Sequence, residues 1–481
     1  MSVVSRRILH LVSVVACAAL VASCSGSGSN ATDTSTNVAF HPCSEVDCAG
    51  ALGGAAYQIL MPTTWNGTLL LYSHGYRNAQ PAPPSYEPVV TSAEPAPGWS
   101  EGEKSVGQAL LDQGYALAGS AYASNGWAVQ DGVKADEDLY AFFSDKVARP
   151  TRVYAWGDSL GGLITAELTE RHPDWVSGSA PLCGALAGLN PNMDLALDVE
   201  YAVRELIWPG FKVTGYASYQ DAVTNFSTAA SKVLSAAKDV KGGGTAKILF
   251  IASLADAPLA TKNFDGSTIT SQVQASAEGV LTALGFGTYG RYDIEQRVGG
   301  NPSSNATTEY ALRFTVADQR RIDTVTPGAT KRYALAMARG KRISADPAAR
   351  AKAATLGDPK GAPGTPTITL HTFADPLVIV QNESWYAARV AASAQGTSKL
   401  AELVTVPPAT FAQSPGAPYG AGHCNFTAQS RIGVIAILDD WVRRGVYPGA
   451  VSEARALGAG SGFVPDVAVP VWPRGGDSPT S

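Results

Sequence analysis

The chain has 481 residues, 45% of them hydrophobic and 16% charged, with a formal net charge of −5. This is an ordinary globular composition, on a chain far longer than one small core needs. No basic run is present, which argues against nucleic acid as a partner.

Residues 1–23 have the make-up of an export signal: Arg6 and Arg7 supply a positive start and Ile8 to Val21 an apolar core. Leu20-Val21-Ala22-Ser23-Cys24 resembles a bacterial lipobox. That resemblance implies cleavage before Cys24 and acylation of its sulfur and new amine; the plainer reading is a signal peptide with a stray cysteine. Two or more buried acyl chains would anchor the protein firmly, at roughly 0.8 kcal/mol per CH₂. Ser5-Arg6-Arg7 also permits a twin-arginine route. Cleavage leaves 458 residues with a charge of about −7. Residues 24–39, rich in Ser, Gly, Asn and Thr, read as a flexible tether. No other apolar run is long enough to span a bilayer, so the expected protein is tethered to the membrane and not embedded in it.

Ala55 to Met61 and Thr68 to Ser73 read as strands, and Thr64-Trp65-Asn66-Gly67 between them as a hairpin turn. His74-Gly75-Tyr76 follows, then a Pro-rich loop over 81–98. Ser105 to Gln113 is helical, stopped by Gly114. A strand over Tyr115–Ala121 leads to a loop holding Trp127, and Val133 to Lys146 has helical periodicity. The strand Thr151–Trp156, the helix Leu160–Arg171 and the strand Val176–Leu182 complete the first part. Strands alternating with helices imply a largely parallel sheet covered on both faces. The rhythm then breaks: 186–361 carries helical patterns, among them Asp194–Ile207, Tyr219–Lys238 and Ile269–Leu284. These residues read as a mainly helical cap inserted between a first core part, 40–185, and a second, 362–454. In the second part come the strand Thr365–Thr372, a helix over Gln381–Gln395, the strand Leu400–Val406 and a final helix, Ala428–Arg444. The tail 455–481 reads as irregular.

Six cysteines are present; Cys17 leaves with the signal and Cys24 takes lipid. The remaining Cys43, Cys48, Cys183 and Cys424 suggest two disulfides in an exported protein, with three possible pairings. Cys43 and Cys48 flank a short loop and are expected to pair locally, which leaves Cys183 with Cys424. No Cys-x-x-Cys or His-x-x-x-His spacing accompanies them, so no metal site is expected.

The informative stretch is Gly157-Asp158-Ser159-Leu160-Gly161-Gly162, set between strand and helix. Gly-x-Ser-x-Gly in that setting has the form of a nucleophile elbow, whose strained serine leaves no room for side chains two residues away. Hence Gly157 and Gly161. A serine needs a base. Of six histidines, His10 lies in the signal, His41 by the first cysteine pair, and His172 at the far end of the elbow helix. His74 and His371 close strands, whereas His423 sits in a glycine-flexed loop between the last strand and the last helix. His423 is therefore the expected base. Asp375, after another strand, is the expected orienting acid, with capping of the next turn as its plainer role; Asp439 and Asp440 are weaker alternatives. Backbone N–H groups of Leu160 and Tyr76 are the expected oxyanion donors. His74 would otherwise merely make a turn, or brace the loop.

These pieces, Ser73-His74-Gly75-Tyr76, the Ser159 motif, Phe373-Ala374-Asp375-Pro376-Leu377-Val378 and Gly422-His423-Cys424, resemble a serine α/β-hydrolase of the esterase and lipase type. The resemblance covers about 55–183 and 362–446. It implies the α/β-hydrolase fold, in which the His423 loop crosses the end of the strand that stops at Cys183; a Cys183–Cys424 bond would pin it there. Some fungal tannases and feruloyl esterases tie that loop to a cysteine before the nucleophile. Here Asp158 stands in that place, so their substrates are not carried over. The implied activity is hydrolysis of a small or lipid-like carboxylic ester by an exported, lipid-anchored enzyme without metal or organic cofactor. Trp127 would line the pocket or serve the core. An exopeptidase-like amide hydrolase and a non-catalytic binding lipoprotein are the alternatives.

Overall fold

Eight strands form one sheet in the order β1-β2-β4-β3-β5-β6-β7-β8. The computed structural model describes residues 37–394, 396–411, 418–476 and 478–479. The expected export segment, Cys24 and most of the tether lie outside the described residues. In chain order, β1 (Ala49–Leu52) and β2 (Ala55–Leu60) are followed by β3 (Thr68–Ser73), α1 (Ser105–Asp112) and β4 (Ala116–Ser120). Next come α2 (Val129–Phe142), β5 (Arg152–Asp158), α3 (Leu160–Arg171) and β6 (Gly178–Leu182). β3, β4 and β6 are buried along their whole length, as strands covered by helices on both faces must be. β2 alternates buried and half-buried residues. It pairs antiparallel with β1 and β4, and every later pairing is parallel.

The expected hairpin between the strands at 55 and 68 does not form: β4 lies between them. Trp65 is fully buried, and its indole N–H donates to the Thr68 carbonyl at 2.9 Å. Asn66 bonds instead to the loop before β4, through its N–H to the Gly114 carbonyl (2.9 Å) and its amide to the Gln113 carbonyl (3.2 Å). The true hairpin is β1–β2, turned by Gly53 and Gly54 at φ 56° and 87°. α2 begins at Val129, earlier than the periodicity suggests, and ends in a wider π turn over Phe143–Val147 that buries both of those side chains.

Between β6 and β7 run eight α-helices: α4 (Leu189–Leu206), α5 (Tyr219–Lys238), α6 (Gly244–Leu254), α7 (Ile269–Gly285), α8 (Arg291–Val298), α9 (Val316–Val325), α10 (Ala329–Arg339) and α11 (Pro347–Ala353). They gather their own apolar core around Tyr201, Phe250 and Leu284. Fully buried Arg291 donates to Glu200 at 2.8 Å, and Arg313 donates to Asp198 at 2.6 Å.

β7 (Thr367–Thr372), α12 (Gln381–Ala392), β8 (Leu400–Thr405) and α13 (Ala428–Arg444) complete the sheet and its cover. α13 is not the last helix. α14 (Ala450–Leu457) packs so closely on it that a Cβ at Gly433 would lie 2.3 Å from the Ala456 carbonyl. The tail beyond is packed too: the Val406 N–H donates to the Gly462 carbonyl at 2.7 Å, and Trp472 meets Trp385 edge to face. Among the described residues no helix is long and apolar enough to cross a membrane.

Candidate active site

β5 ends at Asp158 and α3 starts at Leu160, leaving Ser159 alone at the turn with φ 60° and ψ −121°. A non-glycine residue there carries backbone strain of about 1–3 kcal/mol. The surroundings hold it: the Ser159 N–H donates to the Leu182 carbonyl at 2.8 Å. A Cβ at Gly161 would fall 1.9 Å from the Ser73 carbonyl, and one at Gly157 2.4 Å from the same oxygen. Only glycine fits at either place.

His423 Nε2 lies 2.7 Å from Ser159 Oγ, and its Nδ1 lies 2.7 Å from Asp375 Oδ2. Asp375 is fully buried, and its Oδ1 accepts the N–H groups of Leu377 (2.9 Å) and Val378 (3.0 Å). Turn capping and facing the imidazole are thus done by different oxygens of one carboxylate. Burial pushes that carboxyl up, but His423, then His371 and the Leu377 N–H, outweigh it and hold it below its ordinary range.

The His423 loop is placed by backbone and by covalent bonding. Gly420 and Gly422 take φ 87° and 92°, and the Gly422 N–H donates to the Ala374 carbonyl at 2.9 Å. Thr372 Oγ1 donates to the Gly422 carbonyl at 2.8 Å. A disulfide joins Cys183, just past β6, to Cys424; the other joins Cys43 to Cys48. Such bonds fit folding in an oxidising compartment.

Two residues that the sequence reading left without a role reinforce this loop. Asp158 Oδ2 accepts from Arg431 Nη2 at 2.9 Å and from the Tyr72 hydroxyl at 3.2 Å. Arg431 Nη2 also donates to the Cys424 carbonyl at 3.3 Å, and its guanidinium lies over the Phe426 ring. One side chain thereby connects the residue before Ser159 to the residue after His423. Its only sequence cue was an arginine near the start of the helix that follows the histidine loop.

The loop after β3 lies against the serine: a Cβ at Gly75 would come 3.3 Å from Ser159 Cβ. His74 is buried, stacks on Tyr122 at 3.9 Å, and donates from Nδ1 to the Gly75 carbonyl at 2.7 Å. Burial, with Arg77 nearby, pulls its pKa down to about 3, so it braces this loop as a neutral ring. Tyr76, on the same loop, packs its ring on Phe286. Leu160 opens α3, where first-turn N–H groups have no intrahelical acceptor. The other histidines and acids are engaged elsewhere: His172 with Glu137 at 2.8 Å, Asp439 with the Tyr154 hydroxyl at 2.9 Å, and Asp440 with Arg444.

Ser159 and His423 open into a cavity of about 1010 Å³. The helical insertion supplies Val199, Ala252, Ala255, Ala283, Phe286 and Tyr289 to its lining. Trp127 lines it as well, while its buried indole donates to the Leu356 carbonyl at 2.7 Å, so it serves wall and core together. The insertion's lining residues carry no motif, which is why sequence reasoning missed them. Among the described residues no group of three or more His, Cys, Asp or Glu side chains is placed to hold a metal ion.

No family model matches the chain, and no curated protein matches it. Among solved structures it is similar to feruloyl esterase B from Aspergillus oryzae, at 13% identity and TM-score 0.39, over 82% of this chain and 78% of that one. It is also similar to the rice cell wall degrading esterase LipA from Xanthomonas oryzae, in a ligand-bound form, at 14% identity and TM-score 0.33, over 73% and 78%. Proline iminopeptidase from Mycobacterium smegmatis is similar at 13% identity and TM-score 0.34, over 82% and 97%. The strand order, with an antiparallel second strand and a serine turn after β5, is that of the α/β-hydrolase fold.

Proposed function

We propose that the protein is a serine hydrolase that cleaves carboxylic esters. The observation carrying this reading is the chain Ser159–His423–Asp375, with both links at 2.7 Å, opening on the large cavity. Ser159 Oγ attacks the ester carbonyl as His423 Nε2 takes its proton, and Asp375 holds the imidazole with Nδ1 protonated. The N–H groups of Leu160 and Tyr76 donate to the developing oxyanion. The C–O bond then breaks, and His423 protonates the leaving alkoxide to give the alcohol and an acyl-Ser159. His423 next takes a proton from water, whose hydroxide attacks the acyl carbonyl. Collapse releases the carboxylic acid and returns the proton to Ser159.

In this reading the helical insertion is the cap that selects the substrate. Cys24 carries the lipid anchor that holds the enzyme outside the cytoplasm.

Fluorophosphonate labelling tests the chemistry: the wild type labels and Ser159→Ala does not. A panel of acyl esters and aminoacyl amides tests the bond; turnover of amides alone would overturn the ester assignment.

A further inference from the structure

One buried histidine takes no part in the steps above. His371, in β7, is fully buried, and both of its ring nitrogens face acceptors at 2.8 Å: Nδ1 faces Glu383 Oε1, and Nε2 faces the Val378 carbonyl. A carbonyl only accepts, so Nε2 carries a hydrogen. Nδ1 faces a carboxyl group. Either the ring is an imidazolium against a carboxylate, or it is neutral and Glu383 is an acid.

The neighbours decide between these. Asp375 Oδ2, the oxygen that faces His423, lies 3.7 Å from His371 Nε2. The ring therefore stands between two carboxyl groups, Glu383 from α12 and Asp375 from the loop after β7. A proton on the ring is attracted by both; a proton on Glu383 leaves the buried Asp375 charge with no cation on that side. Burial opposes a charged ring, yet Glu383, then Asp375 and the Val378 carbonyl, outweigh it and hold His371 above its ordinary range. Glu402 on β8, the remaining carboxyl near Glu383, is exposed to solvent, which screens its charge from the buried ring.

We infer that His371 is a standing imidazolium, held by Glu383, which positions Asp375 and biases the charge on the His423 side of that carboxylate. The chain from the nucleophile then runs Ser159–His423–Asp375–His371–Glu383, with one aspartate oxygen facing two imidazoles. A fixed positive charge behind Asp375 competes with His423 for the charge on that one oxygen. His371 touches no substrate; it acts through Asp375. The consequence for rate rests on the proposed triad, whereas the charge on the ring does not.

Two measurements separate these levels. In the full chain labelled with ¹⁵N-histidine at pH 7, one buried imidazole should show both ring nitrogens protonated, and His371→Gln should remove that signal. A His371 ring with one bare nitrogen at pH 7 would overturn the inference, with no reference to activity. In pH–rate profiles on a short p-nitrophenyl ester, His371→Gln and Glu383→Gln should each move the acidic limb of kcat/KM up by about half a unit to one unit. The double variant should move it no further. An unmoved limb in folded variants would overturn the positioning role. Should the variants not fold, the wild-type ring shifts alone decide. A wild type that fails to label with fluorophosphonate would remove the triad reading and leave the ring assignment standing on its spectrum.

Discussion

Two regions of this molecule organise buried charge differently. At the carboxyl ends of the inner strands, Glu383, His371, Asp375 and His423 follow one another along a line that ends at Ser159. In the insertion, Glu200 with Arg291 ties α4 to α8, and Asp198 with Arg313 ties α4 to the segment before α9; neither pair reaches the serine. The first set is carried by β7, α12 and the loops at the strand ends, whose backbone bonds and glycines leave it little freedom. The second joins helix to helix through long side chains. Breaking the Ser159–His423–Asp375 part of the first should stop the chemistry and spare the fold; breaking the second should loosen the fold and spare the chemistry.

The largest expected effect tests the first half of that contrast. His423→Ala should lower kcat on an ester by about 10⁴-fold or more, and Asp375→Asn by somewhat less, with residual turnover from the oxyanion donors. Urea midpoints should stay near the wild type for His423→Ala, since that side chain is partly exposed. A fall in stability matching the loss of rate would erase the distinction between the regions.

The converse is Arg291→Met, which leaves Glu200 without its partner in a fully buried site. Removing one member of such a pair costs about 3–5 kcal/mol of unfolding free energy. Urea unfolding should show it, while fluorophosphonate labelling of the folded fraction stays within a few-fold of the wild type. Arg291 also donates to Ser303 (2.9 Å) and the Gly287 carbonyl (2.9 Å), so the loss reaches the turn before α8 and the loop after it.

A smaller effect sharpens how the His423 loop is held. Arg431→Met removes the link between Asp158 and the Cys424 carbonyl but leaves the Cys183–Cys424 disulfide. Losing a charge-assisted hydrogen bond of about 1.5 kcal/mol corresponds to roughly tenfold in kcat if all of it serves the loop. Reductant should lower activity more in this variant than in the wild type, because the loop then has neither tether. Equal sensitivity would mean that Arg431 does not hold the loop.

How much of this was legible in the sequence follows the same division. The serine turn, α3, α5 and α13 could be read because their signals are local: glycine spacing and a helical period. The strand order could not, because Trp65 and Asn66 look like turn residues, whereas Trp65 is buried against Thr68 and Asn66 anchors to the approach to β4, 47 residues along the chain. His371 was visible as a strand-end histidine. Its charge depends on a carbonyl and a carboxylate that the following loop and helix bring back to it, and no short pattern encodes that return. The cavity wall was the least legible part. Ala252, Ala255 and Ala283 are ordinary helix residues until α6 and α7 pack over the serine.

That wall supports the mildest prediction, which joins the two regions. Ala283, on α7, lines the cavity together with Leu160 of α3 and Val378 of the loop after β7. Ala283→Phe adds a ring to space that the insertion leaves open and touches neither the Ser159–His423–Asp375 chain nor a buried ion pair. If the apolar part of the substrate lies under α7, kcat/KM for long acyl esters should fall about three- to tenfold while acetate esters are unaffected, since hydrophobic pocket changes discriminate by about 1–3 kcal/mol. An equal fall on both would place Ala283 against the reacting groups. No change on either would put the acyl chain in another part of the cavity, toward Arg77 and Glu94, and would leave the insertion as a cover and not the selector.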